Sequence, residues 1–212
     1  LQAAQSGVWT YTDRGTYIRI DGYTGTPDAN GRVTIPATLV GKPVREIDSD
    51  AFAYTSYTPN RALIRRITLS NGITTIRYNA FAAMPALVQV DIPASLTTID
   101  WYAFNGCEAL STVTLNEGLT KLGQYAFADT GITSIVIPST LNTIGSDAFR
   151  NCDSLQSVVF KNGTSAKVIG DRAFYSCNNL SSVTLPSTLT QINYYAFAYC
   201  NLLNGITFPN SL

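Results

Sequence analysis

The chain has 212 residues, 14 basic and 14 acidic, with a formal net charge of zero; 45% of residues are apolar and 13% charged. A charged share about half the usual value, balanced to zero, gives no electrostatic footprint for nucleic acid, and no apolar run approaches the roughly 18 residues that span a membrane. Histidine is absent, which removes Ser-His-Asp and Cys-His nucleophile pairs, histidine zinc sites and imidazole acid–base chemistry.

The first 43 residues carry the text Tyr11-Thr-Asp-Arg-Gly-Thr-Tyr-Ile-Arg-Ile-Asp-Gly-Tyr-Thr-Gly25, then Val33-Thr-Ile-Pro36 and Gly41-Lys-Pro-Val44. From Val44 onward one motif returns. The dipeptide Ala-Phe recurs at Phe52, Phe81, Phe104, Phe127, Phe149, Phe174 and Phe197, at spacings of 29, 23, 23, 22, 25 and 23 residues. A near-constant period of this length is the mark of a stacked-repeat architecture. Seven units begin at Val44, Ile73, Leu96, Leu119, Leu141, Ala166 and Leu189, and vary around the consensus L-x-x-I-x-x-x-A-F-x-x-C-x-x-L-x-x-V-x-L-P.

Within a unit, the segment L-x-x-V-x-L-P predicts a short strand, as in Leu110–Leu115 and Leu180–Leu185. Pro93, Pro138, Pro186 and Pro209 close four of these, because proline has no N–H to continue a ladder. A second short extended piece is expected at L-x-x-I, as in Leu96–Ile99. The stretch x-x-x-A-F-x-x-C is expected to be a tight turn or a single helical turn. One unit cannot bury its own apolar face, so the units must stack, each touching only its neighbours. The reading is a β-rich repeat solenoid of about seven 23-residue units with short parallel strands.

Cys107, Cys152, Cys177 and Cys200 all lie three residues after the repeat Phe, where other units place Thr55, Met84 and Thr130. A slot that accepts Cys, Met and Thr is read as a packing pocket rather than a chemical site. Equivalent side chains in a stack point the same way about 5 Å apart, which disfavours disulfides between neighbours.

The pattern over residues 44–212 resembles the BspA-like, or Treponema pallidum type, bacterial leucine-rich repeats, and the opening text resembles the short β module that precedes them in that class. The resemblance implies a right-handed leucine-rich-repeat superhelix and an amino-terminal β cap over residues 1–43. It also implies a secreted or cell-surface bacterial binding or adhesion module, not an enzyme, without cofactor or metal. Its expected partner is a protein or glycan on a host or neighbouring cell, met by a monomeric module. The repeat pattern runs to Leu212 without a closing segment, so the chain is read as part of a longer protein.

Function in a solenoid is expected on its long surface. The strand face should show Ser and Thr ladders with few large anchors. The positions just before Ala-Phe are richer: Tyr78, Trp101, Tyr102 and Tyr125 are expected to form an aromatic strip over three repeats that binds a partner. If the ligand is a glycan, Trp101 and Tyr102 would stack on sugar faces. The first repeat is six residues over the period, and its excess is expected to bulge as a loop. Tyr54, Tyr57, Arg61 and Arg66 are the secondary candidates there, the arginines forming a basic cluster with Arg65.

Overall fold

The apolar positions of the repeat build a continuous core by alternating burial. In the computed structural model, which describes residues 3–212, the amino-terminal strands are β1 (Ala4–Ser6), β2 (Trp9–Asp13) and β3 (Ile18–Tyr23). They pair antiparallel in that order. Then come β4 (Arg32–Ile35), β5 (Thr38–Leu39) and β6 (Lys42–Ile47). From there two short strands mark each coil: β7 (Arg66–Leu69) and β8 (Thr75–Ile76), β9 (Gln89–Asp91) and β10 (Thr98–Ile99), β11 (Thr112–Val113) and β12 (Lys121–Leu122). They continue with β13 (Ser134–Ile137) and β14 (Thr143–Ile144), β15 (Ser157–Phe160) and β16 (Val168–Ile169), β17 (Ser182–Thr184) and β18 (Gln191–Ile192).

The second strand of every coil joins one long ladder, β3-β6-β8-β10-β12-β14-β16-β18, parallel throughout. The first strands form two shorter parallel sheets, β4-β7-β9-β11 and β13-β15-β17. The result is a β-solenoid of about eight turns. The antiparallel β1–β3 element lies over the edge of β6, where an unpaired strand would otherwise be open. The period could not show that β4 pairs in parallel with β7 in full register. The position 43/44 therefore falls inside β6, within a coil that residues 32–47 already build.

Between the two ladders lies a single apolar core. Phe52, Phe81, Phe104, Phe127, Phe149 and Phe174 are fully buried. From Phe81 on, consecutive rings stack 5.1–5.6 Å apart at interplanar angles of 2–8°. The coil spacing of a parallel ladder brings equivalent rings close to stacking distance, so a conserved phase becomes a column of rings.

The Ala-Phe segment is not helical. It is a third hydrogen-bonded side. The residue two before each repeat Phe has a positive φ in all seven coils (Asp50, Asn79, Tyr102, Tyr125, Asp147, Arg172 and Tyr195), and so does the residue two after it from Ala83 to Tyr199. Left-handed conformation costs an ordinary residue about 1–2 kcal/mol. Here it turns alternate amides along the solenoid axis. Each Phe N–H donates to the Ala carbonyl of the next coil, 2.7–2.8 Å, from Phe52 to Phe174. The flanking left-handed residues make equivalent bonds, such as Tyr102 N–H to Gln124 O at 2.9 Å and Ala83 N–H to Asn105 O at 2.7 Å. Three inter-coil bonds per step offset the backbone strain.

Candidate functional site

The turn edge that carries this third ladder is where the aromatic candidates stand. Three of them meet. Tyr78 sits edge-on to Tyr102 at 5.7 Å, and Tyr102 stacks on Tyr125 at 4.8 Å and 3°. The spacing follows from the ladder beneath, which repeats Tyr102 and Tyr125 in the same left-handed position one coil apart. Stacked this way, the rings hide their faces against each other and offer edges and hydroxyls to solvent. Tyr78 is 46% exposed, whereas Tyr102 and Tyr125 are half-buried. Burial, then its neighbours Tyr125, Tyr78 and Asp147, push the Tyr102 phenol above its usual range, so it stays a neutral donor.

Trp101 leaves this row. It shares its phase with Tyr78, but its ring turns toward the long ladder, where its Cδ1 lies over Gly123. It is 48% exposed. The expected four-residue strip is thus a row of three tyrosines with a separate indole on the other side of the same turn.

The row runs on into a charged knot that sequence reasoning did not single out. Asp147 and Arg172 occupy the phase of Tyr102 and Tyr125 in the next two coils. The Asp147 carboxylate is almost fully buried and accepts from Arg172 Nε at 2.9 Å, Arg172 Nη2 at 3.0 Å and Arg150 Nη1 at 3.4 Å. The hydrogen bonds and charge of Asp147, then Tyr125, raise the Arg172 guanidinium further above its ordinary value. Arg150 also lies over the Tyr175 ring at 5.1 Å, a cation–π contact. The repeated phase of these residues was the available signal, since one carboxylate in a column flanked by arginines must be paired.

The first-repeat loop differs from expectation. Its six extra residues do not bulge free; they are tied to the amino-terminal element. Tyr57 O accepts from Tyr23 N–H at 3.1 Å, and Asn60 Nδ2 donates to Gly25 O at 2.9 Å. Gly22 has no room for a side chain, because a Cβ would lie 2.5 Å from Tyr57 O. Nor do the arginines form a basic cluster. Arg61 donates from Nε to Phe52 O at 3.0 Å, and from Nη2 to Ala82 O at 3.0 Å and to Ala83 O. Arg66 forms a two-pronged pair with Asp91 at 2.8 and 3.0 Å, and Asp91 also accepts from Thr68 and Gln89. Both guanidinium groups are committed within the chain. Of this loop's candidates, only Tyr54 and Tyr57 remain largely exposed.

The cysteine slot is structural. All four thiols are free; Cys107, Cys152 and Cys177 are buried and Cys200 partly so. Each donates to the carbonyl of the repeat Phe in the preceding coil: Cys107 to Phe81 at 3.0 Å, and Cys152, Cys177 and Cys200 to Phe127, Phe149 and Phe174 at 3.1 Å. Met84 has no donor, and the carbonyl it leaves, Phe52 O, takes Arg61 instead. In the first unit Thr55 is exposed and the buried residue is Thr58, displaced by the extra loop residues. Burial pushes the Cys107 thiol up to about 12, which removes it as a nucleophile at neutral pH.

Among the described residues no group of three or more Cys, Asp or Glu side chains is placed to hold a metal ion, and no helix is long and apolar enough to cross a membrane.

Comparison with known proteins agrees with the repeat. The model of the BspA type leucine-rich repeat region matches residues 32–156 and 120–212, in six copies. A leucine-rich repeat protein from Bacteroides ovatus is 29% identical with a TM-score of 0.83, over 99% of this chain and 54% of that one. This chain thus spans about half the length of that relative. The T. pallidum leucine-rich repeat protein is 26% identical with a TM-score of 0.82, covering 96% of this chain and 91% of that one. The pneumococcal vaccine antigen PcpA, 21% identical with a TM-score of 0.60 over 100% of this chain and 71% of that one, shares the fold. No curated protein is significantly similar in sequence.

Proposed function

The chain belongs to the BspA-type leucine-rich repeat family, and from that premise we propose that it is a non-enzymatic binding module of the bacterial surface that meets a protein partner along its turn edge. Residues 1–43, whose last part already enters the first coil through β4 and β6, would serve as its cap. The observation that carries the reading is the row Tyr78–Tyr102–Tyr125. These rings are held rigid by stacking and by a hydrogen-bonded backbone, so docking costs little side-chain entropy. They offer hydroxyls and ring edges, which suit a protein surface with carbonyl acceptors and apolar side chains. The neighbouring Arg150–Asp147–Arg172 knot adds partly exposed guanidinium groups at one end. Tyrosine and arginine are the residue types that dominate binding hot spots. By contrast, the strand face offers mainly short hydroxyl side chains. Its one adjacent pair of exposed apolar residues, Val136 and Val159, is small.

Biotinylated wild-type protein and the double variant Tyr78→Ser/Tyr102→Ser are compared on an array of bacterial and host surface proteins. A protein retained by the wild type and lost by the variant, with an unchanged melting temperature, supports the reading. Equal retention by both would move the interface elsewhere, and no retained protein would set the function itself aside.

A further inference from the structure

The indole that left the tyrosine row faces a groove, and the groove has its own chemistry. It measures about 340 Å³ and runs beside the long ladder from the coil of Trp101 to that of Asn193. Its floor exists because of three residues in one phase. Four positions before the repeat Phe, the coils carry Asp48, Arg77 and Asp100, then Gly123, Gly145 and Gly170, then Asn193. A Cβ at Gly145 would lie 2.7 Å from Gly123 C and O, and one at Gly170 would lie 2.7 Å from Ile144 O and Ser146 N. The three central coils therefore approach closely and leave a bare floor where the flanking coils project side chains.

The walls are aromatic at one end and uncharged along the sides. Trp101 closes the first end with a half-exposed indole. Gln124, Asn142 and Ser146 line the groove, and their side chains take no partner within the chain among the described residues. The one cation, Lys121, is neutralised by Asp100 at 3.0 Å. An aromatic face beside free amides and a hydroxyl, without a spare charge, matches the two faces of a sugar: C–H groups for the ring, hydroxyls for the amides. At the parallel-strand spacing of ~4.8 Å, the four coil steps from Trp101 to Asn193 span roughly 19 Å, room for several pyranose units laid along the axis.

We propose that this groove binds a linear, uncharged oligosaccharide, with Trp101 as the stacking platform and Gln124, Asn142 and Ser146 as hydroxyl partners. The site is separate from the tyrosine row, so each can fail alone. The chain has two tryptophans, and Trp9 is buried against Tyr23, so a ligand-induced change in indole fluorescence reports on Trp101. Cellohexaose, xylohexaose, mannohexaose and maltohexaose are titrated separately into the wild type by fluorescence and calorimetry.

One of them is expected to bind saturably, with affinity reduced at least about tenfold by Trp101→Ala, the size of one lost aromatic contact. Asn142→Ala should weaken it several-fold and Tyr102→Ser should leave it unchanged, all at unaltered melting temperature. Absence of saturation by all four sugars up to about 5 mM, near −3 kcal/mol, would overturn the proposal. So would binding that survives Trp101→Ala at full strength, or that Tyr102→Ser abolishes.

Discussion

Removing the ring of Phe127 tests the stacked core most directly. That ring is fully buried and lies between Phe104 at 5.1 Å and Phe149 at 5.6 Å, near-parallel to both. A buried aromatic removes about 150–250 Å² from water, worth roughly 4–6 kcal/mol at 25 cal/mol per Å². Alanine retains part of this, and the coils cannot close over the hole because their spacing is set by the long ladder and the Ala-Phe ladder on both sides of Phe127, and by the β13–β15 pairing on one side. Phe127→Ala should therefore cost about 3–5 kcal/mol. Phe197 has one ring neighbour, Phe174 at 5.3 Å, and is only partly buried. Phe197→Ala should cost about half as much, on the order of 1–2 kcal/mol.

The assay is urea unfolding of both variants and the wild type, paired with native-state hydrogen exchange. Exchange should accelerate in the coils next to the substituted one and fade with distance, because each coil packs only on its neighbours. Equal losses at Phe127 and Phe197, or uniform acceleration along the chain, would refute the nearest-neighbour reasoning.

Maleimide labelling of the native protein should modify Cys200 first and leave Cys107, Cys152 and Cys177 slow, since only Cys200 is partly exposed; all four should react once denatured without reductant. Cys107→Ser should be tolerated better than Cys107→Ala, because serine keeps a donor for Phe81 O, as judged by the urea midpoint. Hydrogen bonding from Arg66 holds the Asp91 carboxyl below its usual range. Its contribution is therefore present above the unfolded pKa of about 3.9 and lost as pH falls through the lower folded value. Being one-third exposed, the pair should contribute only about 0.5–1 kcal/mol, seen as a loss of wild-type stability below pH 4 that Asp91→Asn does not show. Ala83 holds a φ of 51° with an exposed side chain, so Ala83→Gly should relieve strain and raise stability by about 0.5–1 kcal/mol in urea melts; a loss would contradict the left-handed assignment.

Much of this molecule could be read along one dimension. The 23-residue period placed the Phe, Leu and Ile positions in the core, because stacking turns a repeated letter into a buried column whatever the exact coil geometry. The absence of histidine removed imidazole-based nucleophile pairs and zinc sites from the readings open to this chain. The cysteine slot was legible as packing because Met and Thr also occupy it, although the thiol-to-carbonyl bond that the slot makes was not. Tyr102 and Tyr125 were legible as neighbours because they share a phase.

Tertiary structure decided the rest, because it depends on what lies one coil away rather than on the next residue. The left-handed backbone around each Ala-Phe was hidden, since Tyr, Asp and Arg there give no glycine signal; only inter-coil bonds hold them in that conformation. Tyr78 and Trp101 share a phase yet turn to opposite sides, because Tyr78 meets the Tyr102 ring while Trp101 meets the space that Gly123 leaves. Arg61 and Arg66 looked like free charges in a short basic run, but carbonyls of adjacent coils and Asp91 on a neighbouring strand claim them. Likewise, the long first-repeat loop is tied down by Tyr23 and Gly25, at least 34 residues earlier in the chain. A periodic sequence states which residues stack; the direction each side chain takes is set by the neighbour the stack provides.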